Sequence, residues 1–325
     1  SPAPLTDPGT ILATARTFVA DCTAELDADA LLPVVNTDQA IRDSEAFRQK
    51  IGAPKVWLYG ESYGTQFVQA FATVFPTAVK GVILDGVVDL TLDSQGFYTA
   101  YTLASEAILA RTLAGCADIG PCARDMGGDA AVVFDDLKKR LEQGPIPVSF
   151  TRADGKTEDR ALTSGLVDAS AFYALYSPAG RAEFLRVLAA GGRGNLVPML
   201  QLGYANMYID PETQIGVSDP GWYGAAYYAI TCTDYDTGPG TPDERADRIL
   251  AQAATLAPQA PRLLRSFFQE QLACAYWPYQ GPATRPAPYA GGDWPTLILN
   301  GDADPITPIS MAYDVLANAA NAHGV

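Results

Sequence analysis

Histidine is almost missing: His323 is the only one in 325 residues. With no H-E-x-x-H segment and no C-x-x-C pair, no recognisable zinc ligand set remains, so neither a metal nor another cofactor is expected. Basic residues are also scarce, 22 Lys and Arg against 37 Asp and Glu, for a net charge of −15. That balance excludes a nucleic-acid partner, because phosphate-backbone binding needs clustered cations to displace counterions. A phosphate-cradling G-x-x-x-x-G-K-[S/T] loop is absent. No apolar run is long enough to span a membrane. The opening Ser-Pro-Ala-Pro-Leu lacks the basic-then-apolar build of an export signal, so any such signal is expected to have been removed already.

Cysteine is sparse but patterned. Cys116 and Cys122 bracket a short Gly/Pro loop, and Cys232 and Cys274 flank a longer stretch, which makes both pairs candidate disulfides and leaves Cys22 alone. Five reduced thiols in a cytosolic protein is the competing reading. The pairing favours an oxidising, secreted or cell-envelope location.

The apolar pattern alternates between strand and helix signals. Asn36 with Gln39 three residues on reads as a helix start, and Gly52 closes that helix. Lys55 to Tyr59 is a short buried-strand run, Thr65 to Phe75 an apolar helix stopped by Pro76, and Gly81 to Asp85 a second strand. Strand, helix, strand in this order implies a parallel sheet with helices on its faces. Residues 95–288 lose the alternation and hold helical stretches, Gly/Pro loops and many aromatics, as expected of an inserted, mainly helical lid. The sheet pattern returns at Pro295 to Asn300, followed by a helix from about Ser310 to Ala322. The expected organisation is a split core, 1–94 and 289–325, around that insertion.

Between the first strand and its helix stands Gly60-Glu61-Ser62-Tyr63-Gly64, a G-x-S-x-G segment. In that setting the serine occupies a sharp turn that projects its hydroxyl from the carboxyl end of the strand. Glycines on either side are expected to allow strand and helix to approach closely. The Tyr63 N–H, at the positive end of the helix, is the candidate oxyanion donor. A serine needs a base, and His323 is the one imidazole available. The order Ser62, Asp304, His323 follows the nucleophile, acid, histidine order of an α/β-hydrolase. Asp304, followed by Pro305, is preferred as the acid; Asp302 remains open.

Several blocks together resemble the tripeptidyl aminopeptidase-like branch of the α/β-hydrolases, secreted serine hydrolases that release short peptides from free amino termini. They are Asn36 to Asp43, Gly60 to Thr65, Leu84 to Asp89, Cys232 with Asp234, Cys274 to Pro278 and Gly301 to Pro308. The resemblance implies a triad of Ser62, Asp304 and His323 and a lid disulfide between Cys232 and Cys274. It also implies early strands, an Asn-Pro-Gly-Gly-Pro-Gly-like oxyanion loop before the elbow, and a strand between the last helix and the histidine. Neither is read here: nothing of the first kind precedes Asn36, and Met311 to Ala322 reads as helix running straight into His323. An N-terminal segment or a second chain is therefore expected to complete the sheet.

Cleavage from a free amino terminus requires a carboxylate for the substrate ammonium. Glu61, Asp234 and Asp236 are the candidates, each with a structural alternative. Trp222 and Tyr227, with Tyr204, Tyr208, Tyr223, Tyr228, Tyr276 and Trp277, either wall a substrate pocket or form core. Three functions stay open: an exopeptidase on short peptides, a carboxylesterase on apolar esters with the same triad, and a non-catalytic hydrolase-like binding module.

Overall fold

The computed structural model describes residues 8–26, 31–218, 221, 223–281 and 287–324. Trp222 and the opening Ser-Pro-Ala-Pro-Leu lie outside these residues. Contacts divide the chain into two compact units. One holds residues 105–223 and 259–263 with the start of the first helix; the other holds 12–104, 224–258 and 264–325.

In chain order, helix α1 (Pro8–Glu25) and α2 (Thr37–Lys50) precede β1 (Val56–Glu61), α3 (Tyr63–Val74), β2 (Val79–Asp85) and α4 (Ser94–Gly115). Then come α5 (Gly120–Met126), α6 (Ala130–Glu142), β3 (Ile146–Thr151), β4 (Thr157–Leu162), α7 (Ser164–Ala174), α8 (Pro178–Gly192) and α9 (Val197–Asn206). The chain continues through α10 (Gly224–Asp234), α11 (Pro242–Leu256) and α12 (Leu264–Tyr276), and ends with β5 (Gly291–Leu299), α13 (Ile309–Asn318) and β6 (Ala320–Gly324).

The larger unit carries a parallel sheet in the order β1-β2-β5-β6. Register is tight at the carboxyl ends: Glu61 pairs with Asp85, and Asp85 with Leu299. Three strands thus finish level, which places the loops after them side by side, where open α/β sheets bind ligands. Ile41, Val68, Phe71, Leu84, Ile298 and Val315 join α2, α3 and α13 to the sheet in one apolar core. Val68, Phe71 and Ala72 recur at helical spacing, which gives α3 its buried stripe. At β1, a sheet edge among the described residues, Trp57 and Tyr59 stay exposed.

The close of the chain departs from expectation. The helix stops at Asn318, and Ala320 to Gly324 pair with β5, so a strand does stand where the helix was expected to reach Ala322. Ala-Asn-Ala-His-Gly has little strand propensity of its own; pairing with an exposed edge of β5 decides its conformation. β5 also begins earlier than Pro295, at Gly291, with an irregular register up to Thr296 that accommodates a proline without a backbone N–H.

The smaller unit is not wholly helical: β3 and β4 form an antiparallel hairpin from Ile146↔Leu162 to Thr151↔Thr157. Val148 and Phe150 turn inward while Ser149 and Thr151 face out. Both candidate disulfides form, Cys116–Cys122 with S–S 2.03 Å and Cys232–Cys274 with 2.05 Å. The second ties α10 to α12, beside fully buried Trp277. Cys22 is free. No described helix is long and apolar enough to cross a membrane.

Candidate active site

Ser62 sits between β1 and α3 at φ 53°, ψ −123°, a backbone conformation that a side chain adopts only where its surroundings enforce it. The enforcement is visible. Ser62 N donates to Asp85 O at 2.8 Å, and its own carbonyl accepts from Thr65 N at 2.9 Å and Thr65 Oγ at 2.7 Å. Thr65 Oγ in turn accepts from Val88 N at 2.9 Å, and Gln69 Nε2 donates to Val88 O at 2.8 Å. The elbow is therefore bolted to the loop after β2, while the Ser62 side chain stays exposed.

Of the two flanking glycines only Gly60 is required by close approach. A Cβ there would stand 2.2 Å from Gly64 O, whereas a Cβ at Gly64 would meet nothing within 4 Å. The helix begins at Tyr63, immediately after the serine, so its first N–H groups have no carbonyl partner within the helix. The Tyr63 N–H is among these. Its phenol lies within 2.7 Å of Thr37 Oγ, and burial pushes its pKa up.

Asp304 lies in the loop after β5, held by three donors. Its Oδ1 accepts from Ile306 N and Thr307 N, both at 2.9 Å, and its Oδ2 accepts from Thr307 Oγ at 2.9 Å. Asn300 fastens this loop to the one after β2: its Oδ1 accepts from Val87 N at 2.7 Å and its Nδ2 donates to Thr307 O at 3.0 Å. Gly86 lies at the convergence, at φ +64°. A Cβ there would stand 3.1 Å from Thr307 Oγ, 3.3 Å from Asp304 Oδ2 and 3.7 Å from Ser62 N. Ser62 and Asp304 are thus brought together across one glycine. Asp302, the alternative acid, is exposed in the same loop.

His323 is exposed on β6, paired with Leu297, two residues short of the end of β5. No hydrogen bond joins it to Ser62 or Asp304 among the described residues, and its backbone belongs to a strand and not to a loop beyond one.

The candidate ammonium ligands have protein partners. Glu61 is exposed on the same face of β1 as Tyr59, whose hydroxyl lies 3.5 Å from Glu61 Oε2 and 3.3 Å from Asp85 Oδ2. Asp234 accepts from Thr37 N and Gln66 Nε2, each at 2.9 Å, and from the Thr37 hydroxyl, and so braces α2, α3 and α10. It also borders a cavity of about 590 Å³ with Asn36, Leu90 and Trp294. Asp236 accepts from Gly238 N at 2.9 Å within its own loop.

The aromatics divide. Trp277 and Tyr204 are core; Tyr208 and Tyr223 are exposed; Tyr228 packs edge-on against Phe18 at 4.8 Å; Tyr276 bonds Asp243 under the Arg16 guanidinium. Tyr227 hydrogen-bonds Glu270, an acid that the residue pattern did not single out. Gly86, Asn300 and Thr307 were missed as well; their roles depend on loops that meet only once the sheet has formed.

Comparison with known proteins agrees with this geometry. Residues 16–113 match the alpha/beta hydrolase fold family, and residues 261–325 match the TAP-like protein family. These matches support a TAP-like α/β-hydrolase. It is 27% identical over 319 residues to serine protease Hip1 of Mycobacterium tuberculosis, covering 93% of this chain and 56% of that protein. It is 24% identical over 290 residues to tripeptidyl aminopeptidase of Streptomyces lividans, covering 88% of this chain and 50% of that one. A shorter likeness, 26% over 136 residues and 41% of this chain, links it to putative hydrolase YuaR of Escherichia coli. The chain spans about half the length of these curated relatives.

Proposed function

We propose that this chain supplies the nucleophile half of a serine hydrolase that removes short peptides from free amino termini, through an acyl-enzyme on Ser62. The observation that carries the reading is the strained, exposed Ser62 standing across Gly86 from the carboxylate of Asp304. Relatives named as a serine protease and a tripeptidyl aminopeptidase support a peptide substrate. Two disulfides support an extracytoplasmic location.

In this mechanism Ser62 Oγ attacks the scissile carbonyl while a base takes its proton, and the Tyr63 N–H at the start of α3 faces the developing oxyanion. The proton passes to the departing amine, and water then releases the acyl group from Ser62. Asp304, already held by three donors, orients the imidazole of that base. His323 serves only if β6 leaves its register; otherwise another segment or chain brings the imidazole to Asp304.

Intact mass and peptide mapping after incubation with a fluorophosphonate test the reading. A single adduct on Ser62 is the expected result. No adduct on folded protein would leave a hydrolase-like binding module. Equal rates on amine-free esters and on peptides would turn the reading to a carboxylesterase.

A further inference from the structure

Helix α3 has a second face besides the one that packs on the sheet. Val68 and Phe71 join the sheet core, whereas Gln66, Ala70, Thr73 and Val74, spaced i, i+4, i+7 and i+8, line a cavity of about 590 Å³. Ala70 and Thr73 are small, and their size leaves the room. The other apolar walls come from Ile41 of α2, Leu90 after β2, Pro288 and Trp294 of β5. Every described lining residue belongs to the larger unit. The volume falls in the range of small-molecule sites, about 300–1,000 Å³. Thr73, Val74 and Pro288 are exposed, so the cavity opens to solvent.

Its chemistry is specific. Trp294 is buried and donates its indole N–H to the Tyr289 hydroxyl at 3.2 Å, so its ring presents apolar surface. Of the two lining acids, Asp38 accepts from Arg42 at 2.9 and 3.1 Å, and Asp234 accepts from Thr37 and Gln66, so neither calls for a cation from a ligand. No Lys, Arg or His lines the cavity among the described residues, so nothing there receives an anion. Thr233 differs from these groups. It lines the cavity, and its hydroxyl is buried with no hydrogen-bond partner among the described residues. A buried polar atom in that state is costly until a partner meets it.

We propose that this cavity is a binding site for a neutral small molecule with an apolar body and one polar group, the body packing on Ala70, Leu90 and Trp294 and the polar group meeting the Thr233 hydroxyl. The site is separate from the catalytic one: Ser62, Gly86 and Asp304 are not among its described lining residues, and Gln66, one turn along α3, is its nearest approach in sequence to the elbow. Anionic amphiphiles, fatty acids included, are turned away by the Asp38 and Asp234 carboxylates.

The test titrates the purified full chain with N-phenyl-1-naphthylamine, a neutral dye that brightens in apolar surroundings, and with 1-anilinonaphthalene-8-sulfonate, the same body carrying a sulfonate. The neutral dye is expected to saturate a single site, and the sulfonate to bind at least roughly tenfold more weakly. Ala70→Trp, which fills the cavity, and Val74→Trp, at an exposed lining position that tolerates a large side chain, should each weaken the neutral dye by roughly tenfold or more. Thermal unfolding confirms that each variant is folded, and Val74→Trp decides the matter where Ala70→Trp does not fold. Thr233→Val, which keeps the volume and removes the hydroxyl, should cost roughly three- to tenfold, the scale of one hydrogen bond. Non-saturating binding, equal affinity for the sulfonate, or wild-type affinity in the folded tryptophan variants would overturn the assignment, and unchanged affinity in Thr233→Val would overturn the contact assigned to its hydroxyl.

Discussion

Leu297 of β5 stands in register with His323 of β6, which fixes the imidazole in the body of a strand while Ser62 and Asp304 occupy loops past the strand ends. Replacing a triad histidine that acts directly lowers kcat by roughly 10⁶-fold. With β6 paired as it is, His323→Ala is expected to change the rate of fluorophosphonate labelling at Ser62 by less than about threefold, a change of well under 1 kcal/mol. A loss of several orders of magnitude would mean that β6 detaches and delivers His323 to Asp304.

Ser62→Gly separates strain from chemistry. Glycine adopts φ 53°, ψ −123° without the side-chain penalty, so the variant should be inert yet more stable by about 1 kcal/mol. Urea unfolding of wild type and variant measures this. An unchanged or lower midpoint would mean that the turn stores no strain.

The strands β1, β2 and β5 were legible because buried parallel strands are short apolar runs, and the elbow because a G-x-S-x-G segment stood between one such run and a helix. Asn36 as helix cap was legible too, and its side chain accepts from Gln39 N at 2.8 Å. β6 was not legible, since Ala320, Asn321 and Ala322 have no strand preference and become a strand only against β5. The hairpin did carry a signal, the alternation Ile146, Val148, Phe150 and then Asp154-Gly155, hidden within a region dominated by helices. Glu270 left little trace: a single acid inside a helix reads as a solvated face until Tyr98 and Tyr227 arrive from two other helices.

Gly86→Ala tests the meeting of the three loops. The added methyl would stand 3.1 Å from Thr307 Oγ and 3.3 Å from Asp304 Oδ2, at a φ of +64°. The expected cost is about 1–3 kcal/mol of stability from the backbone alone. Labelling of Ser62 should fall further than that cost explains at temperatures where the variant is fully folded, because the carboxylate is displaced from the serine. Normal labelling of the folded variant would mean that Asp304 does not act on this site.

The acid limit of the larger unit should be set in part by α2. Arg48 grips the Glu45 carboxylate through Nε and Nη2, each at 2.7 Å, and with Gln49 holds its pKa down to about 2 against an ordinary 4.5. A depressed carboxylate contributes stability that is fully present above its unfolded value and is lost as pH falls through the folded one. The contribution should therefore be complete above pH 4.5 and fade toward pH 2. Glu45→Gln removes the charge, so wild type and variant should differ in thermal midpoint at neutral pH and converge as the pH approaches 2. A gap of constant size down to that pH would show that the pair adds packing and not charge. The added salt that screens exposed pairs should narrow this gap little, since both side chains are largely covered, at 16% and 11% exposure.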